Sequence, residues 1–539
     1  MRLPPCIPSF LRRAPLFALA VGLVAATSTF AADEAATPPA PDPTAGPVTA
    51  NPAPTDPKVD AIENAVVKIF ATMRRPDLYR PWSKSPPSEV TGSGVIIEGK
   101  RILTNAHVVL YASQVQVQGN QAGDKISATI ETIAPGIDLA VLKLEDESFF
   151  DTRPPIARAN TLPDIKVPVM AYGYPAGGTS LSITKGIVSR IEWAGYHPPV
   201  SGLRIQIDAA INRGNSGGPA ISGDKMIGLA FSNLSGAQNI GYIIPNEEIN
   251  LFLADVADGK YDGKPAMYDE LQDMENPALA GYLKLGKEVE GIMVHEPYLA
   301  DPGYPLKKWD VITRIGDTPV DNQGMVKIGS NLRVRFQYLV QKYAKDGKVP
   351  LTVVRAGKPV EIQLPVFNDR PSLMENLDGA YPDYFVYGPF VFSTLTADFA
   401  NSMGGSNAVT VMRAFSAMAS PILTRRGDQP AFPGEALVVV ASPFFPHKLA
   451  KGYNTPIGRV IDTVNGKHVK NLPHLVELLR DAQEDYITIE FAGRMSEAIV
   501  LPRNDCIAAT EEILSDNGVR AQGSANALSV WNAKAAPAK

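Results

Sequence analysis

Between Gly92 and Gly241 the apolar residues come in short runs broken by Gly, Pro, Asn and Asp. Gly94-Val95-Ile96-Ile97, Val115-Gln116-Val117, Leu139-Ala140-Val141-Leu142, Ile187-Val188 and Met226-Ile227-Gly228-Leu229-Ala230 all have strand length and strand composition. Many short strands at this spacing predict a β-barrel or sandwich, not a βαβ fold. Upstream, Asp60 to Phe70 fits a short helix leading into a strand, and the Pro- and Arg-rich stretch 71–90 reads as a loop. The period changes after Pro245, where Ile249, Phe252, Leu253 and Val256 fall on one face of a helix over Asn246 to Val256.

A repeat follows the polar, Gly/Pro-containing stretch Gly259 to Pro277. Val311 to Val320 and Val460 to Val469 share a pattern of strand, Gly/Asp/Asn turn and strand. Each copy precedes a helical pattern: Phe336, Leu339, Val340 and Tyr343 in the first, Leu472, Leu475, Val476 and Leu479 in the second. A strand closes each copy, Leu351 to Val354 and Tyr486 to Phe491. Two copies predict two related modules, since a solenoid needs at least three. Residues 368–429, rich in Pro, Phe, Tyr and Met, match neither copy, and the Ala-rich final stretch of about 20 residues is expected to be disordered.

The N-terminus reads differently. Arg12 and Arg13 precede an apolar core from Ala14 to Thr27, and Thr29-Phe30-Ala31 is a small-x-small cleavage pattern. Residues 1–31 therefore read as a secretory signal, with an uncleaved anchor as the alternative. In a Gram-negative cell such a signal is expected to carry the mature chain across the inner membrane into the periplasm. Residues 32–57 are Pro/Ala-rich and too poor in large apolar groups to offset the entropy of ordering. No later apolar run approaches about 18 residues, so no membrane span is expected in the mature chain.

With 539 residues, 45% apolar and 20% charged, the chain is a soluble globular type of about three domains. A net charge of −5 gives no bulk reason to expect nucleic acid as a partner. Of the two cysteines, Cys6 lies in the signal and Cys506 is left alone, which excludes a disulfide scaffold and a zinc-type cysteine cluster.

The candidate chemistry centres on Asn212-Arg213-Gly214-Asn215-Ser216-Gly217-Gly218-Pro219. A serine hydroxyl becomes nucleophilic only with a base in reach, a group orienting that base, and donors aimed at the developing oxyanion. Glycines around Ser216 permit a tight backbone that gathers N–H groups into one pocket, here assigned to Gly214 and Ser216 with Asn215 contributing. Alone, the stretch is equally an ordinary glycine turn. The histidines are His107, His197, His295, His447, His468 and His474, and only His107 follows a strand and a Thr104-Asn105-Ala106 turn in the β-rich region. None forms an HExxH pair, so a metal hydrolase has no support, and no metal site is expected. Asp138, before the strand Leu139 to Leu142, is by itself equally a turn aspartate. The chain order His107, Asp138, Ser216 in one β-rich domain is the order used by the chymotrypsin-type double barrel.

Thr91-Gly92-Ser93-Gly94-Val95-Ile96-Ile97, Ile102 to Val109, Asp138 to Leu142 and Gly214 to Pro219 together resemble the HtrA/Deg serine proteases. Gly173 to Gly178 and Gly186 to Arg190 resemble that family's regulatory loop region, and the repeated modules resemble its PDZ domains. Pro382-Asp383-Tyr384 to Phe392 and the Ala508 to Leu514 stretch are similar to the plant-type Deg branch and its bacterial relatives. The resemblance implies a mainly β fold, a chymotrypsin-like double β-barrel followed by two PDZ-like α+β domains. It implies His107 as general base, Asp138 as its orienter and Ser216 as nucleophile, with no cofactor. It implies ATP-independent cleavage of misfolded or unfolded protein or peptide substrates, and a homo-oligomer built on trimers. A binding or chaperone scaffold on a protease fold is the competing function, and a processing enzyme of narrow specificity is a third. By family geometry the substrate pocket would include Ile211, Leu229, Ala230, Phe231 and Ile240, apolar residues suited to small or medium aliphatic side chains. In the first PDZ-like module the carboxylate-binding loop is expected near Gly281 to Leu285, although Lys284 and Trp309 stand where glycines are usual.

These readings divide the chain into a signal (1–31), a leader (32–57), a trypsin-like protease domain (58–258) and a linker (259–277). A PDZ-like domain (278–367), an extension (368–429), a second PDZ-like domain (430–505) and a tail (506–539) follow.

Overall fold

The computed structural model describes residues 57–120, 123–176, 178–212, 214–233, 240–329 and 332–533. The expected signal and nearly all of the leader lie outside the described residues. A helix, Pro57–Ala65, leads into the first of two closed barrels. The first barrel is built from β1 (Val66–Met73), β2 (Ser88–Ile97), β3 (Arg101–Thr104), β4 (Ala112–Gly119), β5 (Ile126–Ala134) and β6 (Leu139–Leu144), in the order β1-β2-β3-β6-β5-β4. The second uses β7 (Pro168–Gly173), β8 (Ser182–Gly195), β9 (Ser201–Ile207), β10 (Pro219–Ser222), β11 (Lys225–Asn233) and β12 (Gly241–Pro245), in the order β10-β11-β12-β9-β8-β7. Every apolar run noted in this part of the sequence falls in one of these strands. The alternation of the outer strand β4, with Val115 and Val117 buried between more exposed glutamines, is that of a strand with one wet face.

The barrels share a core. Leu103 and Val141 of the first pack in one cluster with Ile221, Leu229 and Ile244 of the second. Leu229 therefore cannot wall an open pocket as expected: alternation along β11 turns it into the inter-barrel core, where it is fully buried.

The amphipathic helix Asn246–Asp255 closes the barrel pair and carries Glu248, whose side chain is fully buried. It accepts from Lys264 Nζ (2.7 Å), the Leu203 N–H (2.8 Å) and Gln341 Nε2 (3.3 Å). A buried carboxylate is tolerable only when paired in this way. Gln341 belongs to the helix Gln337–Tyr343 of the next module, and Tyr338 on the same helix donates to Glu247 at 2.7 Å. These bonds fix the first PDZ-like module to the barrels.

That module's sheet starts at the strand Glu270–Gln272, inside the stretch expected to be linker. Leu271 alone gives it an apolar residue, too weak a pattern to read. The expected carboxylate loop is closed. The N–H groups of Leu283, Lys284 and Leu285 bond to the carbonyls of Leu279, Gly281 and Ala280 at 3.0, 3.1 and 3.0 Å. They cap the helix Pro277–Tyr282 and are not free for a ligand. Lys284 (φ 55°) and Trp309 (φ 74°) both adopt the left-handed backbone that favours glycine.

The boundary expected at residue 430 crosses a continuous structure. Tyr384–Tyr387 and Phe390–Thr394 form a sheet with Val438–Val440. Phe385, Tyr387, Phe390 and Phe392 share a core with Leu475 and Ile489 of the second repeat copy. The tail also differs from expectation. Helices Arg503–Asp516 and Ala525–Trp531 pack on this core, with Trp531 against Phe385 (5.2 Å) and Tyr387 (6.3 Å). An Ala-rich composition hid one aromatic anchor. The loop between β1 and β2 reaches the same module. Tyr79 meets Phe399 at 5.6 Å, Trp82 meets Phe445 at 5.5 Å, and Ser442 Oγ donates to the Tyr79 carbonyl at 2.6 Å.

Among the described residues no helix is long and apolar enough to cross a membrane. Trp531→Ala should lower the stability of the C-terminal module by roughly 2–3 kcal/mol, since the ring is only partly buried. A urea titration followed by far-UV circular dichroism reads this, and an unchanged midpoint would show that the tail is not anchored.

Candidate active site

His107 sits in the one-turn helix Ala106–Val109 at the end of β3, and Asp138 in the turn that enters β6. β3 and β6 are neighbours, with Thr104 opposite Ala140, so the two side chains start from adjacent strand ends. Asp138 has φ 58° and ψ 44°, a left-handed conformation that aspartate tolerates better than most residues. Its carboxylate grips His107 twice. Oδ2 lies 2.7 Å from Nδ1, and Oδ1 accepts the His107 backbone N–H at 2.9 Å. Asn105, fully buried, donates from Nδ2 to the Asp138 carbonyl at 2.9 Å and fixes the turn. The Asp138 side chain is 12% exposed and the His107 side chain 48%, so the imidazole is held on its inner side and open on its outer one.

Ser216 comes from the second barrel, in the turn before β10. Gly214 (φ 97°) and Gly217 (φ 87°) give the turn its shape. A Cβ on Gly217 would lie 2.1 Å from the Ser93 carbonyl oxygen and 2.4 Å from Thr104 Oγ1, so no other residue fits there. The Asn215 N–H donates to the Asn212 carbonyl at 3.0 Å, which corrects its expected share in the oxyanion pocket: that donor is spent within the turn. Among the described residues the N–H groups of Gly214 and Ser216 have no acceptor. The Asn215 side chain is fully buried, and neither amide atom has a partner among the described residues. The Ser216 hydroxyl donates to the Phe231 carbonyl at 3.4 Å, and among the described residues no hydrogen bond joins it to His107.

Ser93, on β2, was not singled out as a site residue. It is fully buried and central. Its N–H donates to the Ser216 carbonyl (2.9 Å) and its hydroxyl to the Gly214 carbonyl (2.7 Å). The same hydroxyl accepts the Tyr174 N–H (2.8 Å), and its carbonyl accepts Thr104 Oγ1 (2.7 Å). A serine in a Gly-Ser-Gly run offers no local sign of this, because its partners are 121 and 81 residues away.

Of the expected pocket residues, Ala230 is fully buried and Ile211 nearly so, both in the core of the second barrel. Phe231 and Ile240 remain partly exposed. The Phe231 ring lies 5.3 Å from that of Tyr196, whose hydroxyl donates to the Leu203 carbonyl at 2.5 Å. Burial pushes the Tyr196 hydroxyl pKa far above its ordinary range, so it stays a neutral donor.

Residues 92–229 match the trypsin-like peptidase domain family, and residues 374–526 match the PDZ domain family. The PDZ match begins within the stretch expected to separate two modules. Protease Do-like 4, mitochondrial, of Arabidopsis thaliana is 35% identical over 464 residues, which are 85% of this chain and 85% of that one. The chain belongs to the HtrA/Deg family of serine proteases. It is a serine endopeptidase. Protease Do-like 2, chloroplastic, of the same plant is also 35% identical to this Deg protease, over 86% of this chain and 75% of that one. Among solved structures, an HtrA-type protease AlgW with a tripeptide is similar to it at 25% identity, with a TM-score of 0.46 over 58% of this chain and 97% of that one.

In this Deg protease, Ser93→Ala removes a donor and an acceptor and leaves the Gly214 carbonyl and the Tyr174 N–H unpaired inside the protein. Each such group costs about 1–3 kcal/mol. Peptidase kcat should therefore fall by at least about 10-fold while circular dichroism stays unchanged; wild-type kcat in the variant would mean that Ser93 does not hold the turn.

Proposed function

We propose that this Deg protease cleaves unfolded or damaged proteins through an acyl-enzyme on Ser216, with His107 as general base and Asp138 as its orienter. What carries this is the double grip of Asp138 on His107, at 2.7 and 2.9 Å. With Nδ1–H committed to the carboxylate, Nε2 is the nitrogen left to take a proton. Ser216 Oγ attacks the scissile carbonyl as its proton passes to Nε2. The N–H groups of Gly214 and Ser216 stabilise the oxyanion, each worth about 2.7–4 kcal/mol in comparable sites. The C–N bond then breaks as His107 gives its proton to the leaving amine. Water, deprotonated by the same base, releases the acyl group. No nucleotide is consumed in these steps.

The long Ser216–Phe231 bond supports a resting hydroxyl that swings to His107 when substrate fills the site. Catalytic serine–histidine bonds are commonly long in empty enzymes and tighten on binding. Phe231 and Ile240, the partly exposed apolar residues, support cleavage after small or medium aliphatic side chains. The names of the plant relatives place them in mitochondria and chloroplasts. Here the Arg12-Arg13 and Thr29-Phe30-Ala31 pattern supports export to a periplasm. Assembly into trimers is the oligomer that fits the family reading.

Ser216→Ala and His107→Ala should each abolish casein cleavage, with losses of at least about 10³-fold. A fluorophosphonate should label the wild type on Ser216. An unlabelled Ser216 in a chain that still suppresses client aggregation would favour a chaperone scaffold instead. A peptide library cut mainly after Lys or Arg would refute the aliphatic preference.

A further inference from the structure

The helix bearing His107 ends at Leu110, and the chain then turns at Tyr111 with φ 66°. A bulky residue seldom adopts this conformation unless its surroundings enforce it. The Tyr111 carbonyl accepts the Arg74 N–H at 2.8 Å. The other two holds come from far down the chain. The Tyr111 hydroxyl accepts the Gly379 N–H at 3.3 Å, and its ring meets Tyr381 edge-on at 5.9 Å. Tyr381 closes the triangle by donating to the Arg74 carbonyl at 2.7 Å.

Gly379 lies close against the residue before Tyr111. A Cβ at this position would sit 3.2 Å from Leu110 Cδ1, and its φ of 101° is open only to glycine in practice. Asp378, one residue earlier, is also left-handed at φ 44°. The segment is anchored at its own end: the Leu377 N–H donates to Asp398 at 2.8 Å, the Ala380 N–H donates to the Leu377 carbonyl at 2.7 Å, and Leu377 is buried.

The same few residues also line clefts beside the support of Asp138. The tip of the β8–β9 hairpin rests on the turn before Asp138, where the His197 N–H donates to the Gly136 carbonyl at 3.2 Å. Asn376 and Asp378 face that tip across two adjoining clefts of about 830 and 570 Å³, both of which His197, Pro198 and Pro199 also line.

We propose that residues 376–381 form a positioning strap. Held by the C-terminal module, the strap sets the turn after His107. Tyr111, Gly379 and Tyr381 are its positioning residues. The inference rests on His107 acting as the general base. No strap residue is bonded to Ser216 among the described residues, so the strap acts on the base and not on the nucleophile. A general base displaced by about 1 Å can cost about 10²-fold in rate, so small shifts of this turn are sufficient.

The test uses the full chain with Gly379→Ala, Tyr381→Ala, Tyr381→Phe and Tyr111→Phe. Three quantities are read: kcat and KM on a short fluorogenic peptide, the rate of fluorophosphonate labelling, and its final stoichiometry. Gly379→Ala and Tyr381→Ala should lower kcat and the labelling rate about 10-fold or more, with KM within about 2-fold and full final labelling. Tyr381→Phe, which keeps the ring, and Tyr111→Phe, which loses only the acceptor for Gly379, should fall between these and wild type. Unchanged kcat in Gly379→Ala and Tyr381→Ala would overturn the proposal. So would a loss of activity matched by a loss of labelling stoichiometry, which marks misfolding, or a Tyr381→Phe variant as impaired as Tyr381→Ala. His107→Ala separates the two levels: if it labels at the wild-type rate, the assignment of the base fails, whatever the strap variants do.

Discussion

Ser216 belongs to one barrel, and His107 and Asp138 to the other. Among the described residues no strand pairing joins the two barrels, so their register depends on a few bonds across the seam. Ser93 supplies the densest of these, reaching Ser216 and Gly214 in the second barrel and Thr104 in the first. Thr104 is three residues from His107 and lies on the strand that aims it. One buried side chain and its peptide unit thus tie the Ser216 turn to the strand end that carries the imidazole. The shared apolar core of Leu103, Val141, Leu229 and Ile244 supplies bulk adhesion, which is non-directional. Direction comes from the hydrogen bonds, and catalysis depends on direction.

The parts of the structure legible in the sequence were those whose cause is local. Short apolar runs broken by Gly, Pro, Asn and Asp announced the barrels, a period-3.6 face announced Asn246–Asp255, and a shared strand–turn–strand pattern announced the two copies that became Val311–Ile315 and Ile461–Val464. His107 and Asp138 were legible because their chain order and short turns are unusual, and the structure brings their side chains together. What escaped has its cause elsewhere in the chain. Ser93 is ordinary until Gly214 and Tyr174 arrive. Leu229 and Phe231 differ only in what stands opposite each side chain, which composition does not encode. Asn215 looked like a third donor because a glycine-rich turn does not reveal which N–H closes the turn itself. Trp531 gains its meaning from Phe385 and Tyr387, and a window of alanines around it reads as tail.

The C-terminal module is joined to the protease barrels by more than a linker. Tyr79 and Trp82 leave the first barrel to enter its aromatic core, and Tyr381 returns to Arg74. The first PDZ-like module is fixed through the buried Glu248 and its partners Lys264 and Gln341. In that module the N–H groups of Leu283 to Leu285 are spent on a helix end.

The position of Trp531 bears on how the enzyme comes into being. The barrels are complete once residue 258 has been made, yet the helix that finishes the C-terminal core ends 273 residues later. At about 5–20 residues per second, the ribosome needs roughly 15–55 s to cover that distance. Through that interval a nascent chain holds both barrels but not the finished C-terminal module. Chain order thereby sets the last contact of the C-terminal core, Trp531 on Phe385 and Tyr387, well after both barrels exist.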